Sequence, residues 1–277
     1  MSTSSFRPGL FDGQVAIVSG AGSGIGRATA LELADLGAEV FICGRRPEPI
    51  EETAGLAPSG RVHPYAADIR EEDQVDAFVS HVLERHAKID LLVNNAGGQF
   101  LAPAEKITPK GFRTVIRLNV EGTWLMTHAV ATRSMIPAGG GKVVSITISP
   151  HGGQPGMAHS SAARAAVDNL MKVLSIEWAR FNIKLNAVAA GTIGTDIFYA
   201  KYPQEVVETM SNSIPLGHVG RPEDIAGAII YLASPAGDYV SGTVLDVDGA
   251  RNNWMGPFPA AAMASADGSI IAETRKA

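Results

Sequence analysis

The chain has 277 residues, of which 45% are hydrophobic and 18% charged, a balance that excludes a disordered or collagen-like polymer. With 23 basic against 28 acidic residues the formal net charge is −5, so no basic field is available to hold a nucleic-acid backbone. A single cysteine, Cys43, rules out an internal disulfide and a thiolate metal pair, and no apolar run reaches the roughly 18 residues that span a bilayer. Residues 1–11 lack an apolar stretch of signal-peptide length, so the expectation is a soluble protein of a reducing compartment.

From Gln14 onward, short β-branched runs alternate with longer amphipathic ones. Strands are predicted at 15–19, 39–43, 61–66, 91–94, 142–147, 184–188 and 243–247. The first, fourth and fifth show no strict alternation, which suits strands buried on both faces of a parallel sheet. Helices are predicted at 25–36, 72–86, 112–134, 161–181 and 222–233. Gly37 stops the first of these, and Pro222-Glu223-Asp224 starts the last. Length alone leans towards two domains, but no Ser- or Pro-rich linker precedes residue 250. The alternation therefore predicts one α/β domain over 12–250, a doubly wound sheet of about seven parallel strands with helices on both faces. Residues 191–221 make a connection too long for a simple turn and read as a substrate lid with a short helix. The tail, 251–277, is rich in Ala, Gly, Pro and Ser, yet Trp254, Phe258 and Ile270-Ile271 favour partial docking.

Directly after the first strand comes Gly20-Ala21-Gly22-Ser23-Gly24-Ile25-Gly26, which leads into a helix. Side chains at these turns would keep a pyrophosphate away from backbone N–H groups and the positive helix end. A tight strand–helix turn is the plain alternative. The surrounding βαβ pattern favours a dinucleotide cradle in a Rossmann-type sheet, with Gly20, Ser23, Gly24, Ile25 and Gly26 at the phosphates. At the end of the second strand, where an acidic residue would select NAD, the chain has Gly44-Arg45-Arg46. Two guanidinium groups at Arg45 and Arg46 suit a 2′-phosphate, so NADP(H) is the expected cofactor.

Together with the glycine turn, Asp68, Asn94-Asn95-Ala96-Gly97, Asn119 and Gly191-Thr192-Ile193-Gly194-Thr195 resemble the short-chain dehydrogenase/reductase family over almost all of 12–250. The resemblance implies that Asp68 and Ile69 meet the adenine and that Asn95, Ala96 and Gly97 line the adenosine side of the sheet. It also implies that Gly191 and Ile193 hold the nicotinamide carboxamide and that Thr195 reaches the pyrophosphate. The last loop departs from the family's Pro-Gly start, because position 190 is Ala.

The family's catalytic set is Asn, Ser, Tyr and Lys. Here the Tyr position holds Ser160, the Lys position Arg164 and the Ser position Thr147, and only Asn119 is unchanged. No tyrosine lies between Tyr65 and Tyr199, so a shifted register cannot restore the motif. A ketone reductase must protonate an alkoxide. A phenol of pKa about 10 beside a Lys can do so, whereas a serine hydroxyl is far less acidic and Arg stays charged. Reduction of a C=C conjugated to a thioester asks less: negative charge gathers on the thioester oxygen, and hydroxyl donors stabilise it without full proton transfer. The stretches 95–105 and 159–165 are similar to peroxisomal-type trans-2-enoyl-CoA reductases, which use NADPH. The 2,4-dienoyl-CoA reductases also have Ser for Tyr but keep Lys where this chain has Arg164, and Ser149 stands where they keep a tyrosine.

The expected function is thus NADPH-dependent reduction of a 2-enoyl thioester, the acyl group being carried on CoA. Ser160, Thr147 and Asn119 would organise the carbonyl and Arg164 the nicotinamide ribose. The alternatives are a 2,4-dienoyl-CoA reductase, a 3-oxoacyl or alcohol oxidoreductase using a lid group such as Lys201, and a non-catalytic NADP(H)-binding protein. His151, His159, Tyr199 and Tyr202 are candidate donors of the Cα proton, each with a structural reading beside it. Thr147 also reads as a plain strand residue and Arg164 as a plain helix-surface residue. No metal-ligand spacing occurs, so no metal is expected, nor is a membrane or nucleic-acid partner. The resemblance implies a homotetramer built on the helices at 112–134 and 161–181. The C-terminal Arg275-Lys276-Ala277 is not a Ser-Lys-Leu address, so a cytoplasmic location is expected.

Overall fold

The computed structural model describes residues 5–149 and 151–254. Its centre is a sheet of seven strands: Val15–Ser19 (β1), Glu39–Gly44 (β2), Val62–Ala66 (β3), Leu91–Asn94 (β4), Gly141–Ile148 (β5), Ile183–Ala190 (β6) and Val244–Val247 (β7). The order is β3-β2-β1-β4-β5-β6-β7, and every pairing is parallel. All seven predicted strands are present, and β5 and β6 run on to Ile148 and Ala190. The order reverses between β1 and β4, which opens a crevice at the carboxyl ends of those strands.

Each strand feeds two cores because successive side chains alternate between faces. Ala16, Val18, Val40 and Ile42 pack with Ala30 and Leu33 of Gly24–Asp35 (α1) and with Ile225 and Ile229 of Pro222–Ala233 (α10). On the other face Ile17, Phe41 and Leu185 meet Phe78 of Glu72–Leu83 (α3), Met126 of Gly122–Val130 (α5), and Val167 and Met171 of Ala158–Glu177 (α7). Full burial of such aliphatic side chains is worth about 1.5–3 kcal/mol each, so the sheet is the rigid base on which the loops stand.

Three helical regions differ from the sequence expectation. Pro47–Gly55 (α2) lies where no helix was predicted; Pro47 sits in its first turn, where a missing N–H costs nothing. The helix expected at 112–134 begins earlier, as Pro109–Ile116 (α4), because the Thr108 hydroxyl caps it by accepting from Gly111 N at 3.1 Å. It continues through π-helical Arg117–Glu121, α5, a second π segment Ala131–Met135, and Ile136–Ala138 (α6). The connection after β6 carries two helices, Asp196–Lys201 (α8) and Gln204–Asn212 (α9), where one short helix was expected. Of the expected tail-docking residues, Trp254 lies at the end of the described chain, and Phe258 and Ile270-Ile271 lie outside the described residues. Among the described residues, no helix is long and apolar enough to cross a membrane.

Candidate active site

A cleft of about 720 Å³ runs along the carboxyl ends of the strands. At one end it is walled by the turn between β1 and α1. Gly20 has φ +67°, and a β-carbon there would come within 2.7 Å of the Ala96 Cα. A β-carbon on Gly26 would collide with the Asn95 amide, so the glycines let the turn close down on the chain after β4. The Asn95 Nδ2 donates to the carbonyls of Ser19 and Gly20, both at 3.0 Å. The Ser19 hydroxyl accepts from the N–H groups of Asn95 and Ala96, both at 3.1 Å. These bonds lock β1 to the exit of β4. The first turn of α1 carries no acidic residue, and Ser23 makes no side-chain cap, so the helix end faces the cleft with free donors and positive potential. An anionic pyrophosphate fits this cradle.

Further along lie Arg45, Asp68 and Ile69. Asp68 is held by Arg70, whose Nε donates to Oδ1 at 2.9 Å and to Oδ2 at 3.1 Å. The Arg70 guanidinium, aided by Arg45, keeps the Asp68 carboxyl below its usual range. Arg45 lines the cleft, whereas Arg46 forms the N-cap of α2 and is not among the lining residues. Gly26 likewise stands behind the wall as a packing residue, while Gly20, Ser23, Gly24, Ile25, Asn95, Ala96, Gly97, Gly191, Ile193 and Thr195 all line it. Thr195 also caps α8, its hydroxyl accepting from Phe198 N at 3.2 Å.

At the other end are Thr147 of β5 and Arg164 of α7. The Arg164 Nη1 donates to the Ile146 carbonyl at 2.6 Å, while Nε is buried without a partner among the described residues. Burial pushes this guanidinium down to about 10, with Asp168 opposing the shift, so it stays charged at neutral pH. A β-carbon on Gly97 would land on the Arg164 guanidinium, so glycine there admits the arginine to the cleft. Asn119 is fully buried in the π-helical turn. Its Nδ2 donates to the carbonyls of Gly98 and Val115, both at 2.8 Å, and its Oδ1 accepts from Gly98 N at 3.2 Å.

Ser160 lies one turn before Arg164 on the same face of α7. Its hydroxyl is fully buried and has no hydrogen-bond partner among the described residues, and Ser160 is set behind the cleft wall rather than in it. The Thr147 hydroxyl is also buried and unpartnered. Buried orphan donors are rare in folded proteins, and of these two only Thr147 lines the cleft, where a ligand oxygen or water can meet it. Neither candidate histidine lines the cleft. His159 is sealed beneath Phe100, ring centroids 4.3 Å apart, and His151 sits between Asp168 and Asp246. In the lid, Tyr202, Phe198 and Lys201 line the cleft, whereas Tyr199 backs onto Gly194. Sequence reasoning passed over Arg70 and Asp168. The only signals were an arginine two residues after Asp68 and an acid one helical turn after Arg164.

The model of the family described as Enoyl-(Acyl carrier protein) reductase matches residues 20–250. Among curated relatives, a peroxisomal 2,4-dienoyl-CoA reductase ((3E)-enoyl-CoA-producing) from Arabidopsis thaliana is 35% identical, over 89% of this chain and 87% of its own. Among solved structures, a citronellol catabolism dehydrogenase from Pseudomonas aeruginosa PAO1 superposes with a TM-score of 0.81 at 42% identity, over 91% of this chain and 100% of its own. A 3-ketoacyl-(acyl-carrier-protein) reductase from Brucella melitensis, solved with NADH, has a TM-score of 0.82 at 32% identity, over 87% of this chain and 99% of its own. With its seven parallel strands, its glycine cradle at the switch point and these likenesses along most of its length, the chain belongs to the short-chain dehydrogenase/reductase family of nicotinamide-dependent oxidoreductases.

Proposed function

We propose that the protein is an NADPH-dependent reductase of the C=C bond of 2-enoyl thioesters, with CoA as the carrier. One observation carries this reading: beside a cofactor cradle that fits a dinucleotide, the position of the proton-donating phenol is taken by Ser160, and Tyr202 of the lid is the only tyrosine along the cleft among the described residues. Reduced nicotinamide supplies the hydride that adds at Cβ. The residues of the chain do the rest. Arg164 holds the nicotinamide ribose, and Thr147 offers its hydroxyl to the thioester oxygen as charge develops there, with Ser160 standing one layer behind the wall. Asn119 fixes the Gly98 backbone that borders the acyl group, and Phe100, Leu101 and Phe198 give that group an apolar bed. Arg45 supplies the charge that favours the 2′-phosphate of NADPH over NADH.

A 2,4-dienoyl thioester is the second reading, favoured by the activity named for the Arabidopsis relative. We place the protein in the cytoplasm as a homotetramer. Trp124 on α5 and Val173 and Ile176 on α7 support that assembly, being 39%, 43% and 78% exposed on the two helices expected to pair. The test is NADPH oxidation with 2-enoyl-, 2,4-dienoyl- and 3-oxoacyl-CoA of matched chain length, alongside a solution mass. Fastest turnover of the 2-enoyl substrate is expected. Preference for the diene moves the assignment to the second reading, preference for the ketone overturns both, and tight NADPH binding without any turnover makes the protein a cofactor sensor.

A further inference from the structure

Beyond the cleft wall a line of polar groups leads to the surface. Thr147, 1% exposed, faces the cleft at the end of β5. Behind it on α7 is Asp168; its Oδ1 and the Thr147 hydroxyl are both buried without a hydrogen-bond partner among the described residues, and Thr147 is one of the groups that favour the Asp168 carboxylate. The His151 Nδ1 is 3.6 Å from Asp168 Oδ2, and its Nε2 is 2.6 Å from Asp246 Oδ1 on β7. Side-chain exposure rises outward, from 13% at Asp168 to 35% at His151 and 30% at Asp246. The imidazole is fixed from two sides. The backbone N of His151 donates to Asn252 Oδ1 at 2.9 Å, and Asn252 Nδ2 holds Asp246 Oδ2 at 3.0 Å. An imidazole between two carboxylates, in a cluster too open to be a metal site among the described residues, has a proton carrier's geometry.

We propose that His151, held between Asp168 and Asp246, carries protons from solvent to the Thr147 wall of the cleft and so completes a reduction for which no phenol stands at the family's proton-donor position. The step rests on the reading of the protein as an enoyl thioester reductase. Reduction of the double bond adds a hydride at Cβ and leaves an enolate. Its Cα takes the Thr147 hydroxyl proton, directly or through one water, as that hydroxyl takes the proton of the Asp168 carboxyl. Asp168 is left as the carboxylate and takes a proton from the His151 imidazolium. Solvent restores His151 past Asp246, so each turnover consumes one solvent proton. Asp168 is suited to hold a proton: burial lifts its carboxyl, against the opposing pull of Thr147, His151, Lys172 and Arg164. The other charged groups around the imidazole are Asp246 and, further along the same chain segment, Asp248, which is occupied by the Ser149 hydroxyl and the N–H groups of Arg251 and Asn252. His151 and Asp168 are positioning residues in this scheme, since Thr147 alone reaches the cleft.

The test uses the full chain with NADPH and a 2-enoyl-CoA. His151→Gln keeps a donor towards Asp246 but cannot carry a proton, and Asp168→Asn keeps the shape without the acid. Each is expected to lower kcat at least about tenfold, against the roughly 10²–10⁴ that general acid catalysis contributes. KM, NADPH affinity and melting temperature should stay unchanged, and the solvent deuterium isotope effect on kcat should rise. Added imidazole should restore the rate of His151→Gln saturably. Unchanged kcat in both variants, or a loss of kcat with no isotope effect and no imidazole rescue, overturns the relay while wild-type turnover leaves the enoyl reading standing. Should His151→Gln fail to fold, Asp168→Asn on the helix decides the matter by the same isotope effect. Wild-type protein inert towards every 2-enoyl thioester overturns both readings at once.

Discussion

Asn119 and Gly98 grip each other from both directions: the asparagine Oδ1 accepts from the Gly98 N–H at 3.2 Å, and its Nδ2 donates to the Gly98 carbonyl at 2.8 Å. The amide therefore acts as a surrogate strand neighbour for the segment leaving β4. A third bond to Val115 O and the Thr123 hydroxyl on the Asn119 carbonyl, both 2.8 Å, enter the helix's own ladder, and the helix widens to a π turn there.

Asn119→Ala leaves both Gly98 groups without this partner. Stability is expected to fall by about 1–3 kcal/mol, or roughly 2–10 °C in Tm for a domain of this size. Turnover should fall further than cofactor affinity, because Gly98 borders the reacting end and the pyrophosphate cradle is anchored separately through Asn95 and Ser19. Thermal melting and NADPH titration on the variant check this. An unaltered Tm would remove the clamp from the account.

The sheet was legible because its strands are short apolar runs, fully buried in β1 and β4, set between helical stretches, and the glycine turn because a strand precedes it and a helix follows. What stayed hidden depended on direction or on distance along the chain. Arg45 and Arg46 are adjacent and chemically alike, and nothing local tells that one faces the cleft while the other begins α2. The helix α2 is masked in the sequence by Pro47 and Pro49, which break a helix anywhere but in the first turn they occupy here. Ser160 was read as a hydroxyl donor to the substrate carbonyl from its place in the motif, but it is buried behind the cleft wall, a matter of reach that spacing does not encode. His151, Asp168 and Asp246 come from three separate elements, and only the pairing of β5 with β6 and β6 with β7 brings them together.

The difference between the two arginines is measurable. Arg45→Ala should weaken NADPH binding by about 1.5–3 kcal/mol, roughly tenfold to a hundredfold in Kd, as expected for loss of a hydrogen bond to a charged group. NADH affinity should hardly change, since that ligand lacks the 2′-phosphate. Arg46→Ala, at the N-cap of α2, should shift either Kd by less than about threefold, the scale of an exposed charge at some distance. Fluorescence titrations of the two variants with both cofactors give all four numbers. Equal losses of NADPH and NADH affinity in Arg45→Ala would detach specificity from this residue.

Cys43 gives a prediction about alkaline stability. The thiol is fully buried at the end of β2, and burial pushes its pKa up to about 12 from 9.0, opposed only in part by the Gly20 N–H. In the unfolded chain the thiol ionises near 9, whereas in the fold it keeps its proton until about 12. Between those values the folded state binds more protons than the unfolded one, so stability falls as pH rises, and below about 9 the full contribution is present. Wild-type protein should therefore lose more unfolding free energy between pH 9 and 11 than Cys43→Ala, as urea titrations at several pH values will read. At neutral pH the same burial should leave Cys43 inert to thiol reagents in the native state and reactive once urea unfolds the chain. Rapid labelling of the native protein, or parallel pH dependences for wild type and variant, would show that the thiol is not buried in the native fold.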